Sequence, residues 1–139
     1  MVLDTSALLA ILMAEPEAEG FAVAIEHDPI RLVSAGSMLE TAIVAESRWG
    51  DAGGRELDLL LFKTGISVTP VDAEQVEIAR QAFRLFGKGR HPAGLNFGDC
   101  FAYALSRVSG QPLLFKGDDF AQTDVDRVEI TEVPRRPSE

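Results

Sequence analysis

The sequence predicts an α/β domain, a three-layer sandwich with a mainly parallel central sheet flanked by helices. Short apolar or β-branched runs alternate with longer amphipathic segments along the whole chain, and the connections between them are short. Capping residues stand where the period changes, and no repeat or low-complexity block interrupts the pattern. At 139 residues, with 46% hydrophobic and 25% charged side chains, the chain suits one domain with a substantial core. Residues 1–134 are assigned to that domain, and residues 135–139, beyond Pro134, are expected to form a disordered tail.

The elements follow in order. Val2 and Leu3 form a strand that runs into Asp4, Thr5 and Ser6, and an uncharged helical run over 7–14 comes next. A carboxylate at that junction sits at the carboxyl edge of a strand, where open α/β sheets bind ligands, although Asp4 also suits a plain helix N-cap. Glu15, Pro16 and Glu17 end this helix and open a second, with Pro in the first turn and Phe21, Ala22 and Ile25 facing inward. Asp28-Pro29 stops it, and 31–34 reads as the second strand. Ser37 followed by Glu40 matches a capping box for a helix over 39–50, which Gly53 and Gly54 close off before another helix over 55–64. Residues 66–69 form a β-branched strand. Asp72 then caps a long helix with Val76, Ala79, Ala82, Phe83 and Phe86 at helical spacing, ending near Gly87. After a loop over 87–94, Asn96 caps a helix over 97–109 with Phe101, Leu105 and Val108 on one stripe. Strands over 112–115 and 128–130 complete the set.

Several classes are excluded by composition. The apolar run over 7–14 is far short of the ~20 residues that span a bilayer, and an acid at position 4 with no basic start is unlike a secretory signal. A single cysteine, Cys100, forms no internal disulfide, and no Cys/His spacing suits zinc, so a cytoplasmic protein is expected. The net charge of −9 opposes a broad basic face for nucleic acid. However, no acid lies between Glu77 and Asp99, and that span carries Arg80, Arg84, Lys88 and Arg90. These four are candidate contacts for a polyanion backbone, against the plainer reading of a solvated helix face and loop.

Asp4, Glu40, Asp99 and the pair Asp118-Asp119 recur at strand ends and helix starts. Each has a local explanation as a cap or turn residue. If they converge, two carboxylates about 4 Å apart repel by roughly 4 kcal/mol at an effective dielectric of 20, so the group needs a cation. Lys116 is one candidate, but one lysine is too little for four acids. An oxygen-only set, with His27 and His91 remote in sequence, favours Mg²⁺ or Mn²⁺ over zinc. Such a site suits phosphodiester hydrolysis by an activated water.

The chain resembles the PIN-domain ribonucleases, and among them the VapC-type toxins of bacterial toxin–antitoxin pairs, over nearly its whole length. The likeness rests on VLDTSA at 2–7, SMLET at 37–41, LNFGDCFAYA at 95–104 and LLFKGDDF at 113–120. The resemblance implies a PIN-like sandwich, metal-binding acids at Asp4, Glu40 and Asp99, and a fourth catalytic acid at Asp118 or Asp119. Relatives often carry Thr-x-Asp after that strand, whereas Gly117 precedes two acids here. Ser6 and Asn96 match positions that support the acids. It further implies a Mg²⁺-dependent endoribonuclease cutting tRNA or another structured RNA, a homodimer, and a VapB-like antitoxin that fills the site.

Leu57, Leu59, Leu60, Leu61 and Phe62 are more apolar than one buried face requires, which suggests a surface covered by another chain or a helix buried on several sides. Two other classes remain open. A phosphoacceptor domain would use Asp72 with Lys116, but usually has paired acids after its first strand, and here Thr5 and Ser6 follow Asp4. A non-catalytic interaction module would bind no divalent metal.

Overall fold

Strands of two residues suffice at the centre of this sheet because both faces are covered by helices. In the computed structural model, which describes residues 1–131, β1 (Val2–Leu3), β2 (Leu32–Ser34), β3 (Ser67–Thr69) and β4 (Leu113–Leu114) form one sheet in the order β3-β2-β1-β4. All its pairings are parallel, with Val2 opposite Leu32 on one side and Leu113 on the other. Side chains alternate between faces, as the pleat requires. Met1, Leu3, Val33 and Leu114 join one core with Leu8, Phe21, Ile25 and Leu57, while Val2, Leu113 and Phe115 join a second with Ala82, Tyr103 and Leu105.

The first core is roofed by α1 (Thr5–Leu12), α2 (Ala18–His27), α3 (Ala35–Trp49) and α4 (Asp51–Thr64), and the second by α5 (Ala73–Phe86) and α6 (Phe97–Ser109). This is the three-layer α/β sandwich the sequence predicts. The chain leaves β1 for β2 and β3, then returns through β4 to the far side of β1. That reversal opens a crevice at the carboxyl ends of β1 and β4.

Several expected boundaries move. Ser37 does not cap a helix over 39–50: α3 starts at Ala35, directly after β2, with the Ser34 hydroxyl accepting from the Gly36 N–H. Ser37 is buried inside the helix, and Glu40 lies in its second turn. Gly53 and Gly54 do not end a segment but sit in the first turn of α4, after a reversal at Gly50. A Cβ on Gly53 would stand 2.2 Å from the Ala45 carbonyl oxygen, so the glycine lets α4 cross against α3. Pro16 lies outside α2, which has Glu17 at its N-cap, and Ala22 is exposed while Ala24 packs on the core. Residues 128–130 form no strand; a single bridge joins Arg127 to Leu113. Along α5, Ala82 and Phe86 meet the core, but Val76 and Phe83 are exposed. The tail expected over 135–139 lies outside the described residues.

Candidate active site

Asp4 is the first residue past β1, 3% exposed, and its two carboxylate oxygens have different fates. Oδ2 accepts the Ser6 N–H at 3.0 Å and caps α1, whereas Oδ1 is buried with no hydrogen-bond partner. Capping and ligand binding are therefore compatible here, one oxygen for each. Burial raises the Asp4 pKa to about 6; bonds from Ser6 act the other way and the nearby Glu40 charge adds to the rise.

Asp99 repeats the arrangement at the start of α6. Its N–H donates to the Asn96 Oδ1 at 2.9 Å, and its Oδ2 accepts from the Asn96 N–H at 3.0 Å, closing a reciprocal capping box. Burial again leads in raising its pKa, to about 7, opposed by the bond from Asn96 and reinforced by the charges of Asp4, Asp119 and Glu40. Acids from three other junctions thus act on Asp99. Of the two acids after β4, Asp119 is among the charges raising Asp99, and Asp118 is not among the leading ones.

Glu40 enters from α3 against the backbone of α6. A Cβ on Gly98 would lie 2.0 Å from Glu40 Oε2, so with any other residue there the carboxylate would have to shift from its place. The close approach of α3 was hidden in the sequence, where the only signal was a glycine in the first turn of an otherwise good helix. The Thr5 hydroxyl, donating at 3.2 Å, and the Thr41 hydroxyl, at 2.7 Å, share the Ser37 carbonyl and tie α1 to α3. Neither threonine was singled out from the sequence.

Ser6 accepts the Lys116 N–H at 2.9 Å, which fixes the end of β4 to the start of α1. The Lys116 ammonium is drawn away from the acids by Glu15, its hydrogen-bond partner, and by Glu17 at 3.4 Å. It does not neutralise the cluster. Asp72 caps α5 through the Gln75 N–H, at the β3 edge of the sheet, while Lys116 follows β4 at the opposite edge. The Asp72 and Lys116 pairing of a phosphoacceptor domain is thus absent. Arg80 pairs with Glu77 at 2.9 Å on the exposed face of α5, Arg84 lies one turn on, and Lys88 and Arg90 fall in the loop after the helix ends at Phe86.

Among the described residues no three acidic, imidazole or thiol groups form a ready-made ligand set. The donors fit a hard divalent cation in kind: they are carboxylates, burial with help from neighbouring acids raises the pKa of Asp4 and Asp99, and one buried oxygen lacks any partner. Cys100 is no ligand, since its thiol donates to the Asn96 carbonyl oxygen at 3.3 Å and burial raises its pKa to about 11.

The PIN domain family matches residues 1–126 of the chain. A ribonuclease VapC of Mycolicibacterium smegmatis is 61% identical over 125 residues, covering 90% of this chain and 97% of that one. Ribonuclease VapC30 of Mycobacterium tuberculosis is 57% identical over 130 residues, covering 94% and 99%. Among solved structures, the Mycobacterium tuberculosis VapC20, described as a toxin cleaving the sarcin-ricin loop, superposes with a TM-score of 0.73 at 19% identity, over 91% of this chain and 97% of its own. A toxin–antitoxin complex from Klebsiella pneumoniae gives 0.66 at 15% identity, over 88% and 92%. These two likenesses concern the fold.

Proposed function

The chain belongs to the PIN-domain family, among its VapC-type toxins, and from that premise we propose that it is a divalent-metal-dependent endoribonuclease whose site is built by Asp4, Glu40, Asp99 and Asp119. The observation that carries the reading is the buried, unpartnered Asp4 Oδ1 at a site where the charges of neighbouring acids add to the raised pKa of Asp4 and Asp99. Asp4, Glu40 and Asp99 would hold Mg²⁺, with Mn²⁺ able to substitute, and the ion would lower the pKa of an attacking water and stabilise the leaving oxygen.

The chain's own residues do the positioning. Ser6 and Asn96 each hold one carboxylate oxygen of an acid, so Asp4 and Asp99 present the other in a fixed direction. Gly98 leaves Glu40 its place, and the salt links to Glu15 and Glu17 keep the Lys116 ammonium from occupying the cluster. Asp119 replaces the undecided pair as the fourth acid, because its charge reaches Asp99. The substrate is RNA, with tRNA or another structured RNA as the target class, in the cytoplasm.

A VapB-like antitoxin and a second copy are the protein partners of this reading. Support comes from apolar side chains left at the surface of α3 and α4: Leu39, Ile43, Trp49, Leu59 and, at 86% exposure, Phe62. Scattered hydrophobes are ordinary, but an aromatic that exposed beside others marks a face to be covered.

The test is incubation of the purified protein, free of any co-purified partner, with total RNA in Mg²⁺, Mn²⁺ or EDTA. Cleavage in either metal and none in EDTA is expected. Undiminished cleavage in EDTA would overturn the metal site.

A further inference from the structure

Asp4 and Glu40 reach the candidate site from different elements, and the sheet alone does not set how far apart they stand. β1 and β2 run side by side with Val2 opposite Leu32, so Asp4 and Ser34 come level at the strand ends. Glu40, however, follows well over a full turn of α3 after Ser34, where a small tilt of the helix carries its carboxylate away from Asp4. Binding constellations work only when their groups are held to within about 0.5 Å. We propose that Thr5 is a positioning residue for the metal ligands: its hydroxyl bond to the Ser37 carbonyl oxygen pins α3 to α1 and so fixes Glu40 relative to Asp4. The inference rests on the metal-dependent reading above and adds to it a residue that carries no charge.

Thr5 is the first residue of α1, directly after Asp4, and is 7% exposed. Its Oγ1 donates to the Ser37 carbonyl oxygen at 3.2 Å, a contact spanning 32 positions of the chain. The bond lands midway between Ser34 and Glu40, three residues before Glu40 and so on the same side of the helix. Burial raises the Asp4 pKa, and the Thr5 backbone is among the groups that oppose the rise. One residue thus meets Asp4 through its main chain and the helix of Glu40 through its side chain.

The same turn of α3 is wedged from the other side. A Cβ on Gly36 would stand 2.5 Å from the Phe101 ring, so α3 lies directly against α6, the helix that carries Asp99. Adjacent residues of α3 therefore meet α6 at Gly36 and α1 at Ser37, and the helix of Glu40 is gripped between the elements that present Asp99 and Asp4. The Ser37 side chain is fully buried and its hydroxyl has no partner, so this position contributes its carbonyl and its small size. Thr41 donates to the same carbonyl at 2.7 Å, but from one turn on within α3, a bond that by itself holds no second element. It keeps the carbonyl satisfied when Thr5 is changed, so removing the Thr5 hydroxyl breaks the link between helices without orphaning a buried acceptor.

The experiment measures the Mn²⁺ affinity of the full chain, free of any co-purified partner, from the electron paramagnetic resonance signal of unbound Mn²⁺. Thr5→Val keeps the branched shape and loses the donor, and its dissociation constant for Mn²⁺ is expected to rise at least about tenfold. Thr5→Ser keeps the donor and should bind as the wild type does. Thr41→Val, which loses a hydroxyl bond to the same carbonyl but no link to α1, should also bind as the wild type does. Urea midpoints in EDTA establish that each variant is folded under the assay conditions. Wild-type affinity in Thr5→Val overturns the inference, as does an equal loss in Thr41→Val or no recovery in Thr5→Ser. Where Thr5→Val does not fold, Thr5→Ala is set against Thr5→Ser, and equal affinity of those two overturns it. Asp4→Asn separates the two readings: if it loses the Mn²⁺ that the wild type binds, the metal site stands whatever Thr5→Val shows, whereas equal binding by Asp4→Asn and the wild type removes the metal reading and this inference with it.

Discussion

At the scale of single residues, burying a carboxylate has a cost that can be measured. The pKa of Asp4 rises from an ordinary 3.8 to about 6 and that of Asp99 to about 7, both chiefly through burial. An acid whose pKa is raised by folding favours the folded state below its unfolded pKa and loses that advantage as pH climbs through the folded value. In EDTA, stability should therefore fall between roughly pH 4 and pH 7, by an upper limit of about 3 kcal/mol for Asp4. Asp4→Asn keeps a side-chain oxygen for the cap and removes the charge, so its urea midpoint at pH 8 in EDTA should exceed that of the wild type while RNA cleavage disappears. A lower midpoint at pH 8, or wild-type cleavage, would remove Asp4 from the cluster. Asp119→Asn should likewise abolish most activity, and Asp118→Asn should retain it; the reverse ranking in a cleavage assay would transfer the role to Asp118.

At the scale of elements, what the sequence conceals is how closely two helices pass. Strand ends, the Asn96 cap and the alternation of helix and strand could be read from local pattern, because each depends on neighbours along the chain. The start of α3 could not, since Ser34 and Ser37 are equally good caps by type and only burial of Ser37 under Thr5 decides between them. The glycines at 53 and 98 misled or said little for the same reason: each serves a neighbour distant in sequence or a turn away on another helix, and reads locally as a breaker. That Glu40 meets the other acids follows from Gly98, a contact 58 positions apart that no periodicity reports. Gly98→Ala separates the two effects. Its methyl displaces the Glu40 carboxylate, so cleavage should fall at least tenfold, while helix propensity at position 98 improves. Gly53→Ala, by contrast, collides with backbone, the Ala45 carbonyl, and should lower stability by about 1–3 kcal/mol. Full activity in Gly98→Ala would show that Glu40 need not stand there.

At the scale of the whole molecule, the difficulty is a chain of net charge −9 that is to hold a polyanion. Acids lie on α2, α3, α4, the first half of α5 and the segment after β4, whereas the second half of α5 and the loop behind it carry Arg80, Arg84, Lys88 and Arg90 without an acid from residue 78 to residue 98. Because α5 stops at Phe86, Lys88 is not on the helix face with Arg84; it sits where the Lys88 N–H bonds the Leu95 carbonyl oxygen at 2.9 Å, at the base of the loop leading into α6. The cations therefore trace a path from the surface of α5 toward Asp99 rather than a single stripe. Beyond about 10 Å the repulsion from the acidic side is screened at 0.1 M salt, so a local basic path suffices for contact. Each phosphate contact on a single strand contributes about 0.7 to the slope of log affinity against log salt. With Asp99→Asn to preserve the RNA, replacing Arg84 and Lys88 by Gln should flatten that slope by about 1.4 if both touch phosphate, weaken binding at low salt, and leave the Mg²⁺ affinity of the otherwise wild-type site unchanged. An unaltered slope would take this path off the protein, and the strand would then have to approach the acids from the α1 and α2 side, where Glu15, Glu17 and Glu19 make entry electrostatically worse.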